Sequence, residues 1–140
     1  MVKRIAITGP ESTGKSTLVQ NLARHFNAAW VPEFARDYLS QLERPYTSKD
    51  VEFIAQQQIL LEKEISAQTD SFVFCDTATL VPKVWHEFKF NKESKIINKL
   101  WESRVYDYWF LCNTDIPWKP DPLREHPYQR AELFSIYEQH

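Results

Sequence analysis

The sequence predicts an α/β fold with a parallel sheet, and three observations predict it. Short apolar or β-branched runs alternate with amphipathic stretches along the whole chain. Two of those runs, 72–75 and 108–112, are apolar throughout, the pattern of strands buried on both faces. The first run leads straight into a glycine turn followed by a helical pattern, the strand–turn–helix unit of open α/β sheets.

Each element follows in order. Arg4 to Thr8 is β-branched and stops at Gly9, which makes it the first strand. Ser16 to Phe26 has Leu18, Val19, Leu22 and Phe26 on one helical face. Ala29 to Val31 is a short strand ending at Pro32-Glu33, and Phe34 to Leu42 is helical. Thr47 with Asp50 three residues later is a capping box, opening a helix to about Gln68 with an apolar stripe of Val51, Ile54, Leu61 and Ile65. After the strand 72–75 come a helix through Val84, Trp85 and Phe88 and another from about Glu93 to Arg104. Beyond the strand Tyr108 to Cys112, residues 113–127 are rich in Pro, Asp and Arg and read as a long loop. Arg130 to His140 is the last helix, with no strand after it.

The 140 residues suit one domain spanning 1–140, and 43% hydrophobic with 26% charged residues is ordinary for a globular chain. Five Trp and nine Phe are expected to add bulk to the core. A net charge of -2 gives no electrostatic reason to expect nucleic acid or an anionic membrane as partner. Cys75 and Cys112 lack metal or redox spacing and read as reduced core residues. No apolar stretch is long enough to span a membrane, and the N-terminal run is too short for a signal peptide, so the expected location is the cytoplasm.

Residues 9–16, Gly-Pro-Glu-Ser-Thr-Gly-Lys-Ser, fit the P-loop pattern G-x-x-x-x-G-K-[ST] in full. Gly9 and Gly14 are the only glycines in the chain, so glycine is spent where a phosphate-binding backbone must curl. The pattern implies binding of ATP or a close relative along Gly9, Glu11, Ser12, Thr13 and Gly14 at a helix N-terminus. Lys15 would reach the β- and γ-phosphates, and Ser16 would ligate Mg²⁺.

Three polar groups at strand ends add chemistry. Asp76, directly after the run 71–75, is placed to hold Mg²⁺ or to accept a proton from a substrate hydroxyl. Glu33 follows the second strand and is placed to orient or deprotonate that hydroxyl, with Arg36 to hold a substrate phosphate or carboxylate. Asp121, Arg124 and Arg130, in and after the long loop, suit a closing lid that neutralises charge on a transferred group. Trp85 and Trp118 follow site strands and are candidates for substrate contact. The four histidines form no metal spacing.

Together, Gly9 to Thr17, Val31-Pro32-Glu33-Phe34-Ala35-Arg36, Phe74-Cys75-Asp76-Thr77, Asp115-Ile116-Pro117-Trp118 and Asp121-Pro122-Leu123-Arg124 resemble, in that order, the ribosylnicotinamide kinase domain of NadR-type proteins. The resemblance runs over nearly the whole chain. It implies a three-layer P-loop kinase with sheet order 2-3-1-4, usually with a fifth strand that this chain lacks, as a shortened or truncated version would. It further implies transfer of a phosphoryl group from Mg·ATP to the 5′-hydroxyl of nicotinamide riboside. By the resemblance Lys15 and Ser16 bind phosphates and Mg²⁺, Asp76 and Glu33 lie near the acceptor hydroxyl and metal, and Arg124 comes from the lid; Thr17, which ends the motif, and Arg130 are expected among the nucleotide-binding residues. The chain departs from the family pattern at Pro32, where a Trp is usual, and at Ala78, where a second Asp is common. These departures leave open a kinase for another nucleoside or a sugar, or a regulatory nucleotide-binding module without turnover.

Overall fold

The computed structural model describes residues 2–9, 14–77, 80–112 and 130–139. Among them a four-stranded sheet is formed by β1 (Lys3–Thr8), β2 (Ala29–Val31), β3 (Phe72–Asp76) and β4 (Tyr108–Leu111). All pairs are parallel and the order is β2-β3-β1-β4. The helices are α1 (Lys15–Phe26), α2 (Phe34–Ser40), α3 (Ser48–Ser66), α4 (Leu80–Phe90), α5 (Lys95–Glu102) and α6 (Arg130–Glu138). The expected order and alternation are both present.

The register sorts side chains to two faces. Ile5 lies opposite Phe74, and on that face Ile5, Ile7 and Phe74 pack with Val19 and Ala23 of α1. Val73, Cys75 and Val31 point the other way and pack under Leu61 and Ile65 of α3. The third layer is extended by α4 and α5, with Val51, Ala55 and Ile97 forming the contact between α3 and α5. Val84 of α4 meets Tyr137 of α6. These helices bury apolar side chains against the sheet or one another, which is where most helix stability arises.

Local chemistry sets the ends. Asp50 closes the capping box of α3, accepting from the Thr47 N–H at 2.7 Å and the Thr47 hydroxyl at 3.1 Å. It also accepts two bonds from Arg44, at 2.7 and 2.9 Å, and one from the Tyr38 hydroxyl at 2.7 Å. Those donors hold its carboxyl well below the usual carboxylate range, the Arg44 bonds contributing most. The Tyr38 bond ties α2 to the start of α3. Ser94 caps α5, its Oγ accepting from the Ile97 N–H at 3.2 Å. That cap starts the helix two residues later than the apolar pattern suggested. Likewise α2 ends at Ser40 rather than Leu42, because the chain turns toward Pro45.

Two expectations are corrected. First, β4 is not buried on both faces: Tyr108, Trp109 and Phe110 are 55%, 37% and 49% exposed. Among the described residues β4 stands last in the strand order, beyond β1, and Tyr108 and Phe110 are exposed on one of its faces. Second, few of the aromatic residues make the core, Phe74 and Tyr137 being the buried ones among the described residues. Phe26, Trp30, Phe53, Phe72 and Phe110 are all exposed, while the fully buried side chains are mainly Ile and Val. Cys75 is buried and Cys112 half-buried, both as free thiols, and burial pushes the Cys75 thiol up.

One buried carboxyl stands out. Glu62 on α3 is 1% exposed; one oxygen accepts from the Tyr106 hydroxyl at 2.5 Å and the other has no hydrogen-bond partner among the described residues. Burial pushes its pKa up to about 7, against smaller opposite pulls from Tyr106, the Gln58 amide and Arg4. The folded state therefore holds this proton more tightly than the unfolded chain. Its contribution is full below the ordinary value of 4.5 and is lost as pH rises through about 7. Glu62→Gln should flatten this slope. Urea unfolding at pH 5 and pH 8.5 should show the variant gaining on the parent at the higher pH by up to about 3 kcal/mol. An unchanged difference between the two pH values would refute the assignment.

Candidate phosphate and metal site

The site lies beyond the carboxyl ends of the strands, where open parallel sheets bind ligands. β1 delivers Gly9, β3 delivers Asp76, β2 leads through Pro32 to Glu33, and β4 delivers Cys112 beside Thr8, whose carbonyl accepts from the Cys112 N–H at 2.9 Å. Both glycines are required by the backbone. Gly9 has φ +138°, and a Cβ there would sit 2.9 Å from the Cys112 carbonyl oxygen. Gly14 caps α1 in the left-handed region, with φ 81°. The first turn of α1 carries no acidic residue and its cap makes no side-chain hydrogen bond. Its N–H groups and positive dipole end are therefore suited to an anion.

The polar groups converge at this point. The Ser16 hydroxyl donates to Asp76 Oδ2 at 2.6 Å, joining the first turn of α1 to the end of β3. The other Asp76 oxygen accepts from the Thr77 hydroxyl at 2.9 Å. Asp76 is buried. Thr77 sits at φ 60°, a strained conformation for a β-branched residue, and its N–H bonds the Ile7 carbonyl at 3.2 Å. Strain of this kind collects where a strand end must present a functional group. Lys15 folds onto the loop, its Nζ 3.0 Å from the Gly9 carbonyl oxygen.

The donor set suits Mg²⁺ with a nucleotide. Among the described residues no group of three His, Cys, Asp or Glu side chains is assembled into a cage. Mg²⁺ needs none: one hydroxyl and one carboxylate, completed by phosphate oxygens and water, are an ordinary ligand set for it. Ser16 and Asp76 provide that pair.

Other expected site residues fall as follows. Glu33 is half-buried at the N-cap of α2, and Arg36 lies on the exposed side of that helix. Thr17 is exposed in the first turn of α1. Trp85 packs edge-on against Tyr46, and its indole N–H donates to the Tyr46 hydroxyl at 3.1 Å. This ring is thereby part of the packing among α3, α4 and α5. Arg130 opens α6, with its side chain outside the description. Glu11, Ser12, Thr13, Trp118, Asp121 and Arg124 lie outside the described residues.

Gln58 is a site-adjacent residue that the sequence reading passed over. It lies on α3, buried, with its amide against the strand ends: Nε2 is 3.2 Å from both the Pro32 and Asp76 carbonyl oxygens, and Oε1 accepts from the Phe34 N–H at 2.9 Å. The available signal was its place in the apolar stripe, four residues after Ile54, where a polar side chain needs internal partners.

Fold, glycine motif and the Ser16–Asp76 pair define a P-loop nucleotide-binding domain. The profile of the AAA domain family matches residues 4–139, and the chain belongs to that family. It is similar to the trifunctional NAD biosynthesis/regulator protein NadR of Escherichia coli K12, at 30% identity over 127 residues, and to that of Salmonella typhimurium LT2, at 27% over 130. Each match covers 88% of this chain and 31% of the relative, so the chain spans about a third of the length of these relatives. A crystal structure of a NadR protein in complex with NR superposes with TM-score 0.84 at 22% identity, over 99% of this chain and 42% of that one. A NadR structure in complex with NAD and AMP-PNP gives 0.78 at 22% identity, over 99% and 40%. The fold is therefore the one those NadR structures contain.

Gly9→Ala tests the loop geometry. Both the positive φ and the Cys112 contact oppose a side chain there. The variant should lose about 2 kcal/mol of stability in urea unfolding and bind ATP more weakly in calorimetry. Parent-like values in both measurements would contradict the derived backbone requirement.

Proposed function

We propose that this chain is an ATP-dependent small-molecule kinase that phosphorylates the 5′-hydroxyl of nicotinamide riboside to give nicotinamide mononucleotide. The observation that carries the reading is the Ser16–Asp76 pair at 2.6 Å beside Lys15, with Glu33 at the neighbouring strand end. The NadR likeness, including a protein solved with NR and one solved with AMP-PNP, supports the substrate pair.

Each residue has a role in this reading. Gly14 and the first turn of α1 hold phosphate oxygens, and Lys15 leaves the Gly9 carbonyl to neutralise them. Ser16 and Asp76 would hold Mg²⁺, and the ion would supply neutralisation of phosphate charge. Both Asp76 oxygens already accept hydroxyl bonds, from Ser16 and Thr77, which favours Asp76 as metal holder and Glu33 as base. The acceptor oxygen forms a bond to the γ-phosphorus as the bond to the departing ADP oxygen breaks, and the hydroxyl proton passes to Glu33. Arg36 orients the acceptor, and Arg124 and Arg130 stabilise charge on the transferred group.

The test is ATP consumption with Mg²⁺ against nicotinamide riboside and a panel of nucleosides and sugars, with the product mass determined. Turnover with nicotinamide riboside and a product heavier by one phosphate is the predicted result. Lys15→Ala should lose nucleotide binding and turnover together. Asp76→Asn should keep Mg²⁺-free nucleotide binding and lose turnover by about 100-fold or more. Turnover with another acceptor alone would replace the substrate, and ATP binding with no turnover on any acceptor would refute the kinase reading in favour of a regulatory module.

A further inference from the structure

Gln58 makes three hydrogen bonds from one buried amide, and all three go to backbone at the ends of two neighbouring strands. Its Nε2 donates to the carbonyl of Pro32, the residue before Glu33, and to the carbonyl of Asp76 itself, both at 3.2 Å. Its Oε1 accepts at 2.9 Å from the N–H of Phe34, the residue after Glu33. The peptide units flanking Glu33 on either side are therefore held by the same side chain that holds the backbone of Asp76.

The bonds matter because the sheet no longer supplies them there. The ladder between β2 and β3 ends at Val31 opposite Cys75. Past that point Pro32 has no N–H to donate, and Phe34 starts α2, where a first-turn N–H has no intrahelical acceptor. The capping side chain of α2 is Glu33, and it makes no cap hydrogen bond. The Gln58 amide takes over the role of the ladder exactly where the two carboxylates diverge from their strands. An amide with two donor hydrogens and an acceptor oxygen suits this set, because a carboxylate lacks the donors and an apolar side chain lacks both functions. Gln58 is 2% exposed, so water does not compete for these groups.

We infer that Gln58 is a positioning residue that fixes Glu33 and Asp76 relative to each other, and through Asp76 sets the metal position against the P-loop. The inference rests on the proposed function for the role of Glu33, while its Asp76 arm concerns metal-dependent nucleotide binding alone. Gln58 touches no reacting atom in this scheme; it acts through the two strand ends.

The test uses Gln58→Met and Gln58→Leu, which approximate the volume and delete the bonds, beside Ile97→Ala, a core substitution in the α3–α5 contact. Calorimetry measures AMP-PNP affinity with and without Mg²⁺, steady-state kinetics measures kcat and KM, and amide exchange is followed at Phe34. For both Gln58 variants the predicted result is a Mg²⁺-dependent gain in affinity reduced about 10-fold or more, with Mg²⁺-free affinity near that of the parent. Faster exchange at Phe34 should accompany it, and kcat should fall about 10- to 100-fold with a smaller change in KM. Ile97→Ala should lose stability and keep the Mg²⁺ gain and kcat. An undiminished Mg²⁺ gain in the Gln58 variants, or an equal loss in Ile97→Ala, would overturn the inference. If the parent has no turnover on any acceptor, the kinase reading fails, and the Mg²⁺ gain still decides whether Gln58 positions Asp76.

Discussion

The hydrogen bond from Ser16 to Asp76 is the contact on which the rest of the site depends. It joins two residues 60 positions apart, and it forms only if β3 lies next to β1. The β2-β3-β1-β4 order supplies that adjacency, and a parallel sheet brings both strand ends to the same edge. The glycines at 9 and 14 then let the chain leave β1 and enter α1 at the angle that points Ser16 at β3. Sequence, topology and side-chain chemistry converge on one hydroxyl–carboxylate pair.

The layers around that pair are unusually polar at a few buried points. Asp76, Gln58 and Glu62 are each nearly inaccessible, and each lies on β3 or on the face of α3 that covers it. A buried polar group is costly unless bonded, so each marks a place where packing alone was not selected. For Asp76 and Gln58 the bonds are complete and lead to the strand ends. For Glu62 one oxygen has no hydrogen-bond partner among the described residues, and burial raises its pKa to about 7, so that it takes up a proton as the pH falls below neutrality. The first two serve geometry at the site; the third couples stability to pH.

Much of this was legible in the sequence. The P-loop could be read because glycine occurs only where the backbone demands it, and Asp76 because it ends an uninterrupted apolar run. The capping box of α3 was visible as Thr47 and Asp50, since capping chemistry is local. What escaped was set by tertiary arrangement. Gln58 differs from its neighbours in the stripe 54–61 only by polarity, and nothing local says that two strand ends lie within reach of its amide. The run 108–112 reads like a central strand, but among the described residues it stands last in the strand order with Tyr108 and Phe110 exposed, and nothing local in the run reveals that. The aromatic residues misled in the same way, because size alone does not tell a core position from a rim.

The most direct measurement is a double-mutant cycle on the Mg²⁺-dependent gain in AMP-PNP affinity, using Ser16→Ala, Asp76→Asn and the pair together. If the hydroxyl and carboxylate hold one metal ion between them, the double variant should lose little more than either single variant, a coupling of about 1 kcal/mol or more. Losses that add to within about 0.5 kcal/mol would show that the two residues act independently, and would contradict the shared metal site.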